Sequence, residues 1–152
     1  MKKILYWVVG ILGIMQLIRP DFNNPKVDPS VALQSDPKVM SILKTSCYDC
    51  HSSETKYPWY HNVAPVSWVM ANNISEGRKA LDFSNWEKID PSVKLERLKR
   101  AKQLVNNALM PKGEYLMMHK NALLNPDEKK ILNDFFEVEL QKVPTDEEKS
   151  SK

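Results

Sequence analysis

The spacing of apolar residues along the chain predicts a series of helices. An uninterrupted apolar run fills residues 4–18, and four later segments place apolar side chains three and four positions apart. Such spacing lines one face of an α-helix. Runs that alternate β-branched or aromatic residues with polar ones are scarce, so no sheet is expected. The pattern predicts an all-α protein, in which an N-terminal apolar helix precedes a small helical domain.

The first segment has the layout of an export signal. Two lysines precede the apolar run, and Arg19 and Pro20 follow it. As a helix the run would rise about 22 Å, short of the roughly 30 Å hydrocarbon core of a bilayer. No small-residue cleavage site follows, so we expect residues 1–19 to be an uncleaved signal anchor, with a cleaved signal peptide as the alternative. The flanking charges favour an N-terminus inside and a domain outside the cytoplasmic membrane.

A proline-containing segment separates the apolar run from the domain. Residues 20–35 hold Pro20, Pro25 and Pro29 among polar residues and keep no helical or strand period. This composition favours an extended linker. At the other end of the chain, residues 143–152 are mostly polar and charged, and we expect a disordered tail there.

Local start signals place four helices within residues 36–142. Three of the four begin with a capping residue followed directly by proline, and the last also has the glutamate of a capping box. The expected caps are Asp36, Asp90 and Asn125, with Glu128 completing the box. The remaining helix is expected from Pro65 to about Glu76, where Gly77 would end it. The helix that begins after Asp90 is expected to reach about Leu109.

One motif carries recognisable chemistry: residues 47–51 are Cys-Tyr-Asp-Cys-His. A Cys-x-x-Cys-His run is the attachment signature of c-type haem. Thiols three positions apart suit addition to the two vinyl groups on one haem edge, and the adjacent histidine then lies under the iron as the proximal ligand. We therefore expect one haem c, covalently bound through Cys47 and Cys50, with His51 on the iron.

Other interpretations of the two cysteines are weaker. A thioredoxin-like redox pair would need a βαβ setting that the pattern lacks. A zinc site would need two of His51, His61 and His119 as further ligands, although adjacent Cys50 and His51 are awkward for one tetrahedral metal. A disulfide between Cys47 and Cys50 would be strained and would stabilise the fold little.

Several side chains are candidates for a second axial ligand on the iron. They are Met70, Met110, Met117, Met118, His61 and His119. Met110 directly precedes Pro111 and lies upstream of the final helix, which resembles the Met-Pro pair that commonly gives the distal ligand in cytochromes c. The proline keeps Met110 out of helical geometry. We expect Met110 to bind the iron, with His119 as the main alternative, because other methionines are usually core filler.

Aromatic and basic residues are candidates for further haem contacts. Trp59, Trp68 and Trp86 would pack well against a porphyrin face or edge, although ordinary core packing would use them equally well. Arg78 would pair with a haem propionate as a bidentate donor, or else lie solvated on the surface.

Four stretches of the chain occur together in a known pattern. They are the motif at residues 47–51; Tyr57-Pro-Trp-Tyr60 with Pro65-Val-Ser-Trp68; Glu76-Gly-Arg78 with Asp82-Phe-Ser-Asn-Trp86; and Met110-Pro111 with Tyr115 and His119. In these stretches the chain resembles the haem-binding domain family of bacterial cytochrome-c-like proteins. The resemblance implies an exported protein with one c-type haem. Asn73 departs from the pattern, because a histidine often stands there, and any haem-related role of that histidine is missing here.

The charge balance narrows the range of functions. The chain has 22 basic and 19 acidic residues, a net charge of +3, which is too mild for a nucleic-acid-binding protein. The outer side of the third helix of the domain is basic. Such a face is usually just solvated, but it would also steer an acidic redox partner. Its residues are Lys94, Arg97, Lys99, Arg100 and Lys102.

These features together predict an electron carrier rather than an enzyme. The expected protein is a mono-haem c-type cytochrome in the periplasm, held at the cytoplasmic membrane by residues 4–18 and serving membrane-associated redox proteins. The alternative is a haem enzyme or a gas or redox sensor with a displaceable sixth ligand, although no distal pair of histidine and arginine stands out. A third possibility is a module whose haem is mainly structural. Fold alone does not separate these functions.

Overall fold

The computed structural model describes residues 1–144, and within that range the chain forms helices and no strands. The prediction of an all-α protein is confirmed. Within residues 1–144, three short 3-10 segments, at Trp59–Asn62, Phe83–Lys88 and Lys120–Ala122, connect the α-helices. The α-helices are α1 (Lys2–Met15), α2 (Pro37–Ser46), α3 (Tyr48–His51), α4 (Val66–Ala80), α5 (Pro91–Asn106), α6 (Gly113–Met118) and α7 (Pro126–Lys142).

The predicted start signals act as helix caps. The carboxylate of Asp36 accepts from the backbone N–H of Lys38 at 2.8 Å, and Asp90 caps α5 in the same way. At α7, the side chain of Asn125 and that of Glu128 each accept from the other's backbone N–H at 2.9 Å. These bonds satisfy N–H groups that the first turn of a helix leaves without partners.

Two helix ends differ from the prediction. Helix α4 continues past Gly77 to Ala80, because this glycine serves a close packing contact rather than a helix stop. Helix α5 ends at Asn106 instead of about Leu109. Ala108 there adopts a left-handed conformation with φ of 53°, and the N–H of Leu109 turns back to the carbonyl of Leu104 at 2.9 Å. This is a Schellman motif, in which N–H groups beyond the helix bond to carbonyls of its last turn that would otherwise have no partner.

The hydrophobic core lies between α2, α5, α7 and the 3-10 turn at Phe83–Lys88. Trp86 is 2% exposed, and its ring packs near those of Phe83 and Phe135 at centroid distances of 5.9 and 6.3 Å. Val143 is also buried in this core, so the domain extends beyond the predicted boundary at residue 142. The rest of the predicted disordered tail, residues 145–152, lies outside the described residues.

The predicted linker lies against the domain over much of its length. The backbone N–H of Leu33 donates to the carbonyl of Phe83 at 2.8 Å, and Val31 accepts from the N–H of Glu87 at 3.0 Å. Leu33 is 2% exposed and belongs to the core. The segment is extended, as expected, but it is part of the packed structure rather than a free tether.

Helix α1 is apolar after its two lysines and buries none of its residues. No helix within residues 1–144 has the length and apolar character needed to cross a membrane. The segment after α1 contacts the domain directly. The side chain of Gln16 donates to the carbonyl of Ala64 at 3.1 Å and accepts from its N–H at 3.0 Å.

We predict that Ala108→Gly stabilises the protein. A left-handed conformation costs a residue with a Cβ about 1 kcal/mol, and glycine avoids that cost. The free energy of unfolding, measured by urea denaturation, should rise by about 1 kcal/mol. The control is Ala101→Gly within α5, which should lower it by a similar amount because glycine is a poor helix former. Equal losses from both substitutions would contradict the Schellman assignment.

Candidate functional site

A cavity of about 610 Å³ opens between α3, α4 and the segment 110–119. Its volume lies in the range of sites that hold small molecules and cofactors. Most of its wall is apolar, with Val66, Val69 and Ile74 on the α4 side and Met110 on the other. Residues 47, 50 and 51 of the predicted motif all line it.

The two cysteines sit at the start of α3 and within it. The N–H of Cys50 donates to the carbonyl of Cys47 at 3.2 Å, and both thiols are free. Burial raises the pKa of Cys47 to about 12 and that of Cys50 to about 11, with neighbouring negative charge adding to the shift. Both thiols are therefore protonated. A catalytic redox pair needs the opposite, a thiol pKa below the usual range.

His51 is oriented by a backbone carbonyl. Its Nδ1 lies 2.9 Å from the carbonyl oxygen of Leu81, which places the proton on Nδ1 and leaves the Nε2 lone pair for a metal. Burial lowers the pKa of His51 below 6.5, while the bond to Leu81 opposes this shift. The imidazole is thus neutral at physiological pH. A metal-binding histidine commonly has this second bond, because it fixes the ring and the tautomer.

Gly77 lets α3 pack directly on α4. A Cβ at this position would lie 2.4 Å from the carbonyl oxygen of Cys50 and 3.1 Å from the Cys50 Cβ. Contacts this short do not occur between real side chains and backbone, so only glycine fits. The motif helix consequently rests against α4, and its functional side chains lie along the cavity.

Hydrogen bonds hold the segment 110–119 across the cavity. The hydroxyl of Tyr115 donates to Asp49, one of the two residues between the cysteines, at 2.7 Å. The ammonium of Lys112 donates to the side-chain oxygen of Asn73 on α4 at 2.8 Å. Burial, and then the bond to Asp49, raises the pKa of Tyr115 well above its usual range, so the phenol stays a donor. The segment is therefore bonded to both α3 and α4.

Met110 and His119 both line the cavity, so the structure brings both candidate distal ligands together with the motif. Met110 also packs against the core. The ring of His119 stacks on Tyr115 at a centroid distance of 4.1 Å, and its Nδ1 lies 3.1 Å from the Tyr115 carbonyl. Among the other candidates, Met70, Met117 and Met118 line the cavity as well. His61 does not line the cavity. Its two ring nitrogens bond to neighbouring residues, one to the Pro58 carbonyl and the other to the Asn62 amide.

The three predicted tryptophans lie outside the cavity lining. Trp86 fills the core instead, and Trp59 is 83% exposed. The indole N–H of Trp68 donates to the carbonyl of Ile18 at 2.8 Å, beside the end of α1. Two tyrosines, Tyr60 and Tyr115, supply the aromatic part of the lining. The sequence offered a signal for Tyr115, which follows the Met-Pro pair in the family pattern.

Arg78 also lies outside the lining and binds protein groups instead of facing the cavity. Its guanidinium donates to the carbonyls of Ser52 and Asn23 and to the side-chain oxygens of Asn24 and Thr55, at 2.8 to 3.1 Å. Every acceptor belongs to the loop after α3 or to the linker segment. Arg78 therefore joins the linker to the motif, a role that the sequence did not indicate.

The zinc interpretation finds no support in the geometry. Within residues 1–144, no group of three or more His, Cys, Asp and Glu side chains is arranged to hold a metal ion. His61 and His119, which a zinc site would have needed with the cysteines, are engaged elsewhere or stacked on Tyr115.

We predict that Gly77→Ala disturbs the motif helix. The added methyl group would overlap the Cys50 carbonyl, and relief by separating α3 from α4 should cost about 1–3 kcal/mol. Thermal unfolding and haem content per protein should both fall. The matched control is Gly113→Ala, where a Cβ meets nothing within 4 Å. Equal behaviour of the two variants would show that the close contact is not required.

We predict that Arg78→Ala and Arg78→Lys both loosen the linker segment. Lysine keeps the charge but cannot reproduce a planar fork that reaches several acceptors. Either change should cost about 2 kcal/mol of stability and speed amide hydrogen exchange in residues 23–33. A lysine variant that matches wild type in both measurements would indicate that only the charge of Arg78 matters.

A comparison with known families agrees with this site. A family model described as a haem-binding domain matches residues 10–138, which takes in the linker, the whole cavity wall and most of α7. No curated protein and no solved structure gives a significant match. The match covers far more than half of the chain, and the chain belongs to the haem-binding domain family.

Proposed function

We propose that the protein is a mono-haem c-type cytochrome that transfers electrons at the outer face of the cytoplasmic membrane. The observation that carries the proposal is that two cysteines and a neutral, oriented imidazole line the same apolar cavity. Haem binding follows from the family. Covalent attachment through Cys47 and Cys50, the electron-transfer role and the location are the parts proposed here.

The residues of the cavity fit a c-type haem. Cys47 and Cys50 would hold it through thioether bonds, and His51 would bind the iron through Nε2. When bound, the haem iron supplies one-electron oxidation and reduction. The carbonyl of Leu81 keeps the imidazole in the tautomer that binds metal. With haem bound, the apolar side chains of α4 would lie against the ring and would favour a six-coordinate centre over ligand exchange.

Met110 is the proposed sixth ligand. It lines the cavity beside the core, and the segment that carries it is bonded to α3 through Tyr115 and to α4 through Lys112. A thioether held in this way needs little reorganisation when the oxidation state of a centre changes. Methionine also raises the reduction potential relative to a second histidine. Both properties suit an electron carrier.

The proposed location of the haem-binding domain is the periplasmic side of the cytoplasmic membrane. The apolar run 4–18 that contains α1 would act as the anchor, with Lys2 and Lys3 on the cytoplasmic side. Because this run is shorter than the hydrocarbon core, the bilayer would thin around it, and Lys3 and Arg19 would reach the headgroups. Its exposed apolar surface has no partner within the described chain, and a bilayer would cover it. An anchored domain meets membrane-bound redox proteins at high effective concentration.

A second function is favoured by one observation. His119 and Tyr115 bring an imidazole and a phenol into the same cavity as the motif. Polar groups of this kind assist peroxide cleavage or bind a gaseous ligand when the sixth position is open. A haem enzyme or a sensor with a displaceable ligand is therefore the alternative to an electron carrier.

The deciding experiment compares absorption spectra of the wild type, Met110→Ala and His119→Ala, produced in a host that matures c-type haem. A c-type pyridine haemochrome should appear in all three, because Cys47 and Cys50 are unchanged. We expect Met110→Ala alone to lose the weak methionine-to-iron band and to bind carbon monoxide when reduced. The matched control is Met118→Ala, an exposed methionine of the same cavity, which should leave the spectrum unchanged.

Three other results would count against the proposal. Loss of the low-spin spectrum in His119→Ala alone would move the sixth ligand to His119. Rapid carbon monoxide binding by the reduced wild type would favour the enzyme or sensor. Absence of covalently bound haem would remove the central claim of a c-type cytochrome.

A further inference from the structure

The end of the apolar segment is bonded directly to the haem-binding domain. Gln16 makes two hydrogen bonds with the backbone of Ala64, and the indole N–H of Trp68 donates to the carbonyl of Ile18. These three bonds bridge about 50 residues of sequence. Together with the packed linker, they leave no free tether between α1 and the domain.

The surface around this junction is apolar and exposed. Trp59 is 83% exposed and Val63 is 44% exposed, and both lie in the segment that precedes α4. Val66, at the start of α4, is exposed and also lines the cavity. Leu17 and Ile18 continue the exposed apolar surface of α1 up to this point. We call Leu17, Ile18, Trp59, Val63 and Val66 the junction face.

We infer that the junction face lies in the headgroup region of the lipid bilayer that holds α1. This inference rests on the proposed membrane anchoring through α1. If α1 enters the bilayer, the residue that follows it is at the membrane surface, and the bonds of Gln16 and Ile18 bring the segment 59–68 to the same level. A free linker of this length would instead allow the domain to move tens of ångströms away.

The chemistry of the junction face suits a lipid surface. Tryptophan is enriched where membranes meet water, because its ring is apolar and its N–H still finds polar partners there. Arg19 stands beside this face, exposed and next to the end of the apolar run, where lipid phosphates would lie. Because Val66 belongs to both the face and the cavity wall, the rim of the haem site turns towards the membrane.

This placement would restrict the redox partners of the protein. Electrons would be exchanged close to the bilayer surface, with membrane-bound redox proteins or with carriers that are dissolved in the lipid. The basic side of α5 is not part of the junction face, so charge steering by that helix would serve a different partner or none.

Photo-crosslinking to lipid tests the inference. The full-length, haem-loaded protein is placed in phosphatidylcholine vesicles that contain phosphatidylglycerol, and p-benzoylphenylalanine replaces either Val63 or Val138. These two valines are similarly exposed, at 44% and 49%, but Val138 lies on α7, away from the junction. Mass spectrometry should find several-fold more lipid adduct at position 63. The double variant Gln16→Ala and Trp68→Phe should lower that adduct towards the level at position 138.

Flotation of the same samples distinguishes failure of the proposed anchor from failure of the proposed placement of the junction face. If the protein does not float with the vesicles, the proposed anchor fails. If the protein floats but positions 63 and 138 give equal adduct, the anchor stands and the placement of the junction face is wrong. If the double variant keeps the full adduct at position 63, the hydrogen bonds of the junction do not hold the face at the membrane, and the inference is overturned.

Discussion

The contact between Gly77 and the carbonyl of Cys50 is the constraint on which the rest of the site depends. Helix α3 has four residues and would not be stable alone, because helix formation needs several turns to offset its nucleation cost. It is held by lying directly on α4. One turn later, the residue after α4 supplies the carbonyl that orients His51. The C-terminal end of α4 therefore both supports the motif helix and orients the His51 imidazole.

The hydrophobic core and the cavity are neighbouring parts of the domain. Helices α2, α5 and α7 bury the side chains of Leu43, Leu98 and Leu132 in the core, and Cys47 and Met110 of the cavity wall pack against it. The structure places a closed core behind the motif and an open apolar cavity in front of it. Filling the cavity would add burial to a fold whose own core is already formed.

Features set by neighbouring residues were predictable, and features set by distant ones were not. The caps at Asp36 and Asn125 depend on the next three residues and are as predicted. Gly77 was mistaken for a helix stop because its reason lies in Cys50, on another helix. For Trp86 the sequence left haem contact and core packing equally open, and for Arg78 a propionate or the surface, because the residues that they contact lie far away in the sequence. The motif and Met110 line the same cavity, and Met110 as an iron ligand stays a prediction. Sequence spacing gave no indication that Tyr115 would bond to Asp49.

The packed linker also determines where the folding unit of this protein begins. Leu33 is part of the core, and Asn23 and Asn24 accept hydrogen bonds from Arg78, although the repeating helical pattern starts only at Asp36. A fragment that begins at Asp36, the first predicted helix of the domain, would lack Leu33 and so expose the core beneath it. It would also leave Arg78 without two of its hydrogen-bond acceptors. The smallest piece able to fold on its own therefore includes the residues just behind the apolar segment. Under the proposed export, the domain would complete its structure only after that N-terminal stretch had reached the same side of the membrane as α7.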